Sequence, residues 1–385
     1  MNNFEFYNPV KIIFGKDQLK KLPLQIPSGQ KIMMIYGGGS IKKNGIYTQV
    51  LSALRDYQVI EFGGIEPNPH YETAMKAVEI IKKENVGFLL AVGGGSVIDA
   101  TKFIAAATLY NAGDPWDILA KNTVVKASLP IGTVLTLPAT GSEMNMGSVI
   151  TRKSTNEKFS FLTPFSFPKF SILMPEAAAS LPQRQVANGI VDAYVHVIEQ
   201  YLTYPSNAPL QDRFAESILL TLIEEGPKVY LNSADYNAMV NLMWCATMAL
   251  NGTISCGVSG DWSVHMIGHE LTAFYEIDHA RTLAIVLPGI WKALRNEKKE
   301  KLLQYANRVW NIVDGSDDEK IDKAIQKTVD FFESLEIPTK LSSYNLDTNA
   351  VNRIVDRFEE RKWKAIGDRQ LITLEVVRKA LEFQL

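Results

Sequence analysis

Four apolar runs of six residues, KIMMIY (31–36), YQVIEF (57–62), GFLLAV (87–92) and GTVLTL (132–137), recur in the first 175 residues, with amphipathic stretches between them. Runs this short, bounded by turn residues, read as buried strands rather than helices. Between the second and third lies YETAMKAVEIIKKEN, in which Met75, Val78 and Ile81 recur at helical spacing. Strand and helix in alternation predict a parallel sheet with helices on its faces. After SILMPEAAASLPQRQ (171–185) the period lengthens to that of a helix. Segments 186–203, 209–225, 235–250, 316–335 and 371–384 all carry helical stripes, and Ser316 with Glu319 predicts a capping box ahead of Ile321, Ile325, Val329 and Phe332. The expectation is an α/β domain over residues 1–180 followed by an all-helical domain over 181–385.

Bulk properties exclude several classes. At 385 residues, with 46% hydrophobic and 21% charged residues, the chain can bury a core for two domains. A net charge of −2 without a long run of one sign gives no footing for nucleic acid or an anionic membrane. The opening MNNFEFYNPVKIIFG lacks the cationic start and apolar core of a signal peptide, and no stretch approaches ~18 consecutive apolar residues. A cytoplasmic location is expected. Cys245 and Cys256 are too few for a disulfide framework. The first reads as a small apolar residue on a core helix, the second as a loop cysteine.

Two of the strands run into the same tetrapeptide, in IYGGGS (35–40) and AVGGGS (91–96). In FLLAVGGGSVIDATKFIAAAT, a strand, the turn Gly93-Gly94-Gly95-Ser96 and a helix follow one another. Glycine permits close backbone approach and positive φ, and a helix start offers unpaired N–H groups to a phosphate. The spacing is not GxGxxG, so the standard dinucleotide fingerprint does not apply. Asp99, one turn into the helix, is expected beside the ligand. The plainer alternative is a tight turn with glycine for steric reasons only. At the earlier turn the notable feature is a missing carboxylate. NAD sites usually place Asp or Glu at such a strand end, whereas here Tyr36 is followed by Gly37, Gly38, Gly39 and Ser40, then Lys42 and Lys43. A carboxylate ~5 Å from a 2′-phosphate would cost about 3 kcal/mol per unit charge at an effective dielectric of ~20. The plainer alternative is a turn with solvated lysines; the missing carboxylate favours NADP(H).

The histidines are concentrated. VHMIGHELTAFYEIDH (264–279) holds His265, His269 and His279, three of the five in the chain. VDAYVHVIEQY (191–201) sets Asp192 and His196 four residues apart, on one helix face, and His265 and His269 repeat that spacing. Asp192 is flanked by Val191, Val195 and Ile198, which argues against a plainly solvated carboxylate. One carboxylate with several imidazoles is a donor set for a divalent metal. A four-coordinate site needs four of the five, or three with a position open to substrate, and one histidine is then left for proton transfer. Spacing does not choose among them.

Over essentially its whole length the chain resembles the iron-containing (group III) alcohol dehydrogenase family. The resemblance rests on GGGSVIDATK (93–102), TLPATGSEMN (136–145), DAYVHVIEQY (192–201) and HMIGHELTAFYEIDHARTLAIVLP (265–288). Within the family it is most similar to butanol dehydrogenases and NADPH-dependent aldehyde reductases, whose YGGGSIKKNG opening stands here at 36–45. The resemblance implies a dehydroquinate-synthase-like fold, with an α/β dinucleotide-binding domain and an all-α domain, and a homodimer. It implies Asp192, His196, His265 and His279 as metal ligands and His269 as the catalytic residue beside the substrate. It places Gly37, Gly38, Gly39 and Ser40 at the adenosine ribose, and Gly93, Gly94, Gly95, Ser96 and Asp99 at the pyrophosphate and nicotinamide. Thr136, Thr140, Ser142 and Lys158 would line the cofactor cleft. Many members have Pro-His-Gly at the last ligand, whereas this chain has Asp278-His279-Ala280. That form suits the aldehyde-reductase branch, and it makes substrate transfer from the wider family unsafe.

The reaction so implied is reversible hydride transfer between NADP(H) and a short-chain aldehyde or primary alcohol such as butanal and butanol. One divalent ion, Fe²⁺ or Zn²⁺, would stabilise charge developing on the carbonyl oxygen, and His269 would relay the proton. Alternatives are a polyol dehydrogenase of the glycerol type, a metal-dependent hydrolase, and a nucleotide-binding module without turnover. Against the hydrolase, Met266 rather than Glu follows His265, so HExxH is absent. Trp262, Met144 and Phe274 are expected either to shape an apolar pocket or to pack in the core, and His70 to lie at the surface.

Overall fold

Strand and helix alternate through the first half of the computed structural model, which describes all 385 residues. The order is β1 (Lys11–Phe14), β2 (Lys31–Tyr36), α1 (Ser40–Lys43), α2 (Ile46–Ala53), β3 (Gln58–Phe62), α3 (Tyr71–Glu84), β4 (Phe88–Gly94), α4 (Gly95–Leu109), α5 (Asp117–Ala120), β5 (Ile131–Leu137), β6 (Gly147–Arg152), β7 (Glu157–Leu162) and β8 (Phe170–Leu173). Six strands form one all-parallel sheet in the order β1-β8-β5-β4-β2-β3, while β6 and β7 form a separate antiparallel hairpin. Central strands of a parallel sheet are covered on both faces, which explains the unbroken apolar runs of β2 and β4. The reading of YQVIEF as a buried strand needs correction. As β3 it lies at the sheet edge, so Gln58 and Glu61 are exposed and the rest is half-buried.

The sheet order matters for function. The chain passes from β2 outward to β3, then returns across β2 to add β4, β5 and β8 on the other side. The winding therefore reverses between β2 and β4, and in open α/β sheets ligands bind outside the carboxyl ends of the strands at that reversal. Both GGGS turns leave these two strands.

From residue 183 the structure is helical: α6 (Gln183–Tyr201), α7 (Pro209–Leu231), α8 (Tyr236–Ala249), α9 (Ser263–Tyr275), α10 (His279–Ala293), α11 (Lys299–Arg308), α12 (Asp317–Ser334), α13 (Thr348–Glu360) and α14 (Leu374–Glu382), with the two-residue strands β9 (Ala365–Ile366) and β10 (Ile372–Thr373) before α14. The capping box at Ser316 and Glu319 is formed. α7 continues six residues beyond the expected end at 225, through Gly226 and Pro227. Gly226 packs on Ile190 of α6, where a methyl would stand 3.1 Å from Cγ2, and Val229 and Tyr230 of the next turn are buried. Tertiary packing overrides the local helix-breaking signal.

By contact the chain divides into two units: Tyr7–Pro182 with Asn232–Asn251, and Met1–Phe6 with Gln183–Leu231 and Gly252–Leu385. α8 thus groups with the sheet: Trp244 meets Phe14 edge-on at 5.9 Å, and the Thr247 hydroxyl donates to Glu143 Oε1 at 2.6 Å. In the helical unit α6 is the central element, buried almost continuously from Val186 to Tyr201. No helix is long and apolar enough to cross a membrane.

Candidate active site

In the sheet unit the two glycine turns meet across one side chain. A methyl at Gly93 would stand 2.6 Å from Val97 Cγ2, and one at Gly37 would stand 3.6 Å from the same atom. At Gly94 it would stand 2.9 Å from Leu137 Cβ, and at Gly95 it would overlap the Thr140 side chain. None of Gly93, Gly94 and Gly95 has positive φ. Part of the expectation is therefore corrected: these glycines are required by packing of strand on helix, not by left-handed backbone. Ser96 follows at the half-buried start of α4. The first turn is different. Gly38 and Ser40 are exposed, Gly39 has φ +101°, and methyls at Gly38 and Gly39 would meet nothing within 4 Å.

Asp99 is held by protein groups. Its carboxylate accepts from Ser142 Oγ at 2.5 Å and from the Val149 N–H at 2.9 Å, so it ties the loop after β5 and the strand β6 to α4. Burial pushes its carboxyl up, against the nearby charges of Lys102 and Lys158 and the Ser142 hydrogen bond. Thr140 Oγ1 accepts from the Ser142 N–H at 3.2 Å, and Thr136 is buried on β5. Lys158, buried on β7, donates to Asn68 Oδ1 at 2.8 Å. Two residues escaped the sequence reading. Lys102 in GGGSVIDATK is fully buried, donates to Asn145 Oδ1 at 2.9 Å and the Gly147 carbonyl at 2.8 Å, and is pushed down to about 8 by burial. Glu61 of β3 brings a carboxylate to the first turn after all. It accepts from the Tyr36 hydroxyl at 3.1 Å and the Tyr47 hydroxyl at 2.8 Å, and Lys42 Nζ lies over both rings, at 5.1 and 4.8 Å. That carboxylate came from another strand, so no inspection of the turn itself could find it.

In the helical unit three helices bring the predicted donors together. Asp192 and His196 come from α6, His265 and His269 from α9, and His279 from the first position of α10. One donor atom each of Asp192, His265 and His279 lies within 4.8 Å of the others. Asp192 Oδ1 stands 3.7 Å from His279 Nε2 and 3.8 Å from His196 Nδ1. Those separations exceed hydrogen-bond range and are near the ~3.4 Å between two ligands on one tetrahedral ion. His196 stacks on His265 with centroids 4.7 Å apart, and His269 lies 5.2 Å from His279 and 6.3 Å from His265. The residues fit an ion: Asp192 Oδ1 is buried and accepts no hydrogen bond, an arrangement that leaves a carboxylate uncompensated without a cation.

The supporting contacts explain how the sequence builds this pocket. Gly268 lets α10 approach α9, because a methyl there would stand 2.8 Å from Thr282 Oγ1. Asp278 accepts from Arg184 Nε and Asn188 Nδ2, both at 2.9 Å, and so pins the start of α10 to α6. Trp262 precedes α9 with φ +61°, and its ring lies 5.4 Å from that of His265. Phe274, by contrast, carries the guanidinium groups of Arg353 and Arg357 on its ring at 4.0 and 4.5 Å, so its partners are on α13. His70 stands before α3 with Nδ1 3.4 Å from Glu66 Oε1, Cys245 is buried, and Cys256 and Met144 are half-buried. Glu199 was missed, although it lies seven residues after Asp192 and three after His196, on the same helix face. Its carboxylate binds His265 Nδ1 and accepts from the Val264 and His265 N–H groups at 2.7 and 3.2 Å. Burial and the adjacent Asp261 push it up to about 8.

A doubly wound sheet with glycine turns at its reversal point, joined in one chain to a helical unit carrying a carboxylate–imidazole pocket, defines a two-unit protein built for a nucleotide and a metal. The chain belongs to the iron-containing alcohol dehydrogenase family: the family model matches residues 9–175, and the model of the C-terminal region of Fe-containing alcohol dehydrogenases matches 186–377. It is 53% identical over 384 residues to the NADPH-dependent aldehyde reductase YqhD of Escherichia coli K12, covering 99% of each chain. It is 44% identical over 362 residues, 93% of each chain, to probable NADH-dependent butanol dehydrogenase 1 of Bacillus subtilis 168. The crystal structure of E. coli K-12 YqhD superposes with a TM-score of 0.98 at 52% identity, covering 100% of this chain and 99% of that one.

Proposed function

We propose that this chain catalyses reversible hydride transfer between NADP(H) and a short-chain aldehyde or primary alcohol, with butanal and butanol as representatives. The observation that carries the reading is the convergence of Asp192, His265 and His279 from separate helices into one donor group, two of the three buried and His279 half-buried. Asp192, His196, His265 and His279 would hold one divalent ion, Fe²⁺ or Zn²⁺, since imidazole nitrogen and carboxylate oxygen suit both. Such an ion supplies Lewis acidity that eases charge onto a carbonyl oxygen, worth several kcal/mol. Three neutral imidazoles and one carboxylate carry a single negative charge, so a doubly charged ion keeps net positive charge for that purpose. His269, half-buried and 5.2 Å from His279 by ring centroid, would move the proton of the alcohol hydroxyl. Asp99 acts at one remove, fixing Ser142 and β6 against the helix that follows the second glycine turn.

The cofactor preference rests on the first turn. Relatives at 53% and 44% identity are named for NADPH and NADH respectively, so the residues of this chain must decide. Ser40 offers a hydroxyl, Lys42 an ammonium steadied over two rings, and the charge of Glu61 is occupied by two phenols. These features favour the 2′-phosphate. The direct test follows NADPH absorbance on addition of butanal, with NADH in a parallel cuvette. Decay with NADPH well ahead of NADH is expected, and no decay with any short aldehyde would contradict the reading. Metal analysis of protein purified without added metal distinguishes iron from zinc. A homodimer is proposed on the family resemblance, and light scattering should give twice the 42.9 kDa chain mass.

A further inference from the structure

Glu199 occupies an unusual position in the helical unit. It is almost completely buried, and its two oxygens serve three donors: Val264 N–H at 2.7 Å, His265 N–H at 3.2 Å, and the Nδ1 of His265. The two N–H groups belong to the first turn of α9, where donors have no intrahelical partner. The residue preceding α9 is Trp262, which gives the helix no side-chain cap. Glu199 therefore caps α9 from α6, and the same carboxylate takes the ring nitrogen of the histidine it caps.

A buried framework holds the main chain of this residue in turn. The Asp261 N–H donates to the Glu199 carbonyl at 2.8 Å, and Lys298 Nζ donates to Asp261 Oδ2 at 2.7 Å and to the Leu202 carbonyl at 2.7 Å. The main chain at Glu199 is thereby fixed against the segment that leads into α9.

We propose that Glu199 is the positioning residue for the metal site: it fixes the tautomer and ring orientation of His265, so that Nε2 presents its lone pair to the ion. The proposal rests on the reading of His265 as a ligand. With Glu199 ionised, as a bound cation would favour, its oxygen accepts, so Nδ1 carries the proton, and an imidazole protonated at Nδ1 offers its lone pair at Nε2. Outer-sphere carboxylates of this kind orient a ligand and raise its basicity, and their loss typically weakens metal binding by ~10–100-fold. α6 thus supplies two donors directly, Asp192 and His196, and aims a third.

The test is a metal titration of the full-length, chelator-stripped protein with Zn²⁺ against a chromophoric competitor, which needs no turnover. Glu199→Gln preserves shape but puts an NH₂ group where an oxygen accepted. Facing Val264 it opposes a backbone donor. Facing His265 it opposes a backbone donor and forces Nδ1 to accept, which moves the ring proton to Nε2. A loss of affinity of ~10–100-fold is expected in folded protein, beside a modest fall in melting temperature from the lost cap. In a His265→Ala background the same substitution should weaken Zn²⁺ binding no further, because Glu199 acts through that ring, whereas a merely structural role would add in full. Co²⁺ absorption should report a shifted ligand field in Glu199→Gln. If that variant does not fold, Glu199→Asp, which withdraws the acceptor from Nδ1, is held to the same criteria. Wild-type Zn²⁺ affinity in a folded variant, or full additivity with His265→Ala, overturns the proposal. Failure of the wild-type protein itself to bind Zn²⁺ would instead overturn the ligand assignment beneath it.

Discussion

After β4, methyl groups at Gly93 and Gly94 would stand 2.6 and 2.9 Å from Val97 and Leu137; after β2, methyls at Gly38 and Gly39 would meet nothing within 4 Å. The same GGGS tetrapeptide is used for opposite reasons. At the second turn glycine is needed because helix and strand leave no room for a side chain. At the first it is needed at Gly39 for a φ of +101°, with open space around it. The lysines downstream follow the same division. Lys102 is fully buried and pushed down to about 8, while Lys42 is exposed and raised by its hydrogen bond to Tyr36. The second turn is shaped by close packing of strand on helix, and the first has open space around it.

The sharpest way to break that contrast is Gly95→Ala, which drives a methyl into Thr140. Overpacking of this kind should cost about 3 kcal/mol in chemical denaturation. Next is Lys102→Met. Between about pH 8 and 10.5 the unfolded chain binds more protons at Lys102 than the folded one, so the Lys102 contribution to stability should rise with pH across that window. Relative to Lys102→Met, the wild type should gain about 2 kcal/mol between pH 8.5 and 10. Gly38→Asp places a carboxylate at the open turn without backbone strain. It should raise the KM for NADPH about tenfold, a change of ~1.4 kcal/mol, while that for NADH barely moves. An equal effect on both would remove the repulsion account of cofactor choice. Smallest is Gly39→Ala, about 1 kcal/mol of left-handed strain in stability with little change in cofactor ratio.

These differences bear on what can be read from sequence. Periods are local, so the change from strands to helices near residue 180 and the Ser316 cap were legible. So were the pairs Asp192 with His196 and His265 with His269, because i,i+4 spacing puts each pair on one face; that the pairs and His279 meet was implied only by the family resemblance. Contacts between distant segments were not. Nothing local says that α8 groups with the sheet, that β3 sits at an edge, or that Glu61 reaches the turn after β2. Glu199 was legible in principle, at the right helical interval from two donors, but only the fold reveals which helix start and which imidazole it meets. Glycine was ambiguous for a physical reason: absent side chains serve close packing and positive φ alike.

The central claim is that one divalent ion, held by Asp192 and the imidazoles of the helical unit, is required for aldehyde reduction. The direct measurement is the rate of butanal-dependent NADPH oxidation before exhaustive chelation, after it, and after one equivalent of Fe²⁺ or Zn²⁺ per chain is returned. The rate should fall to near zero and recover with the ion. Full activity in protein verified to be metal-free would contradict the account.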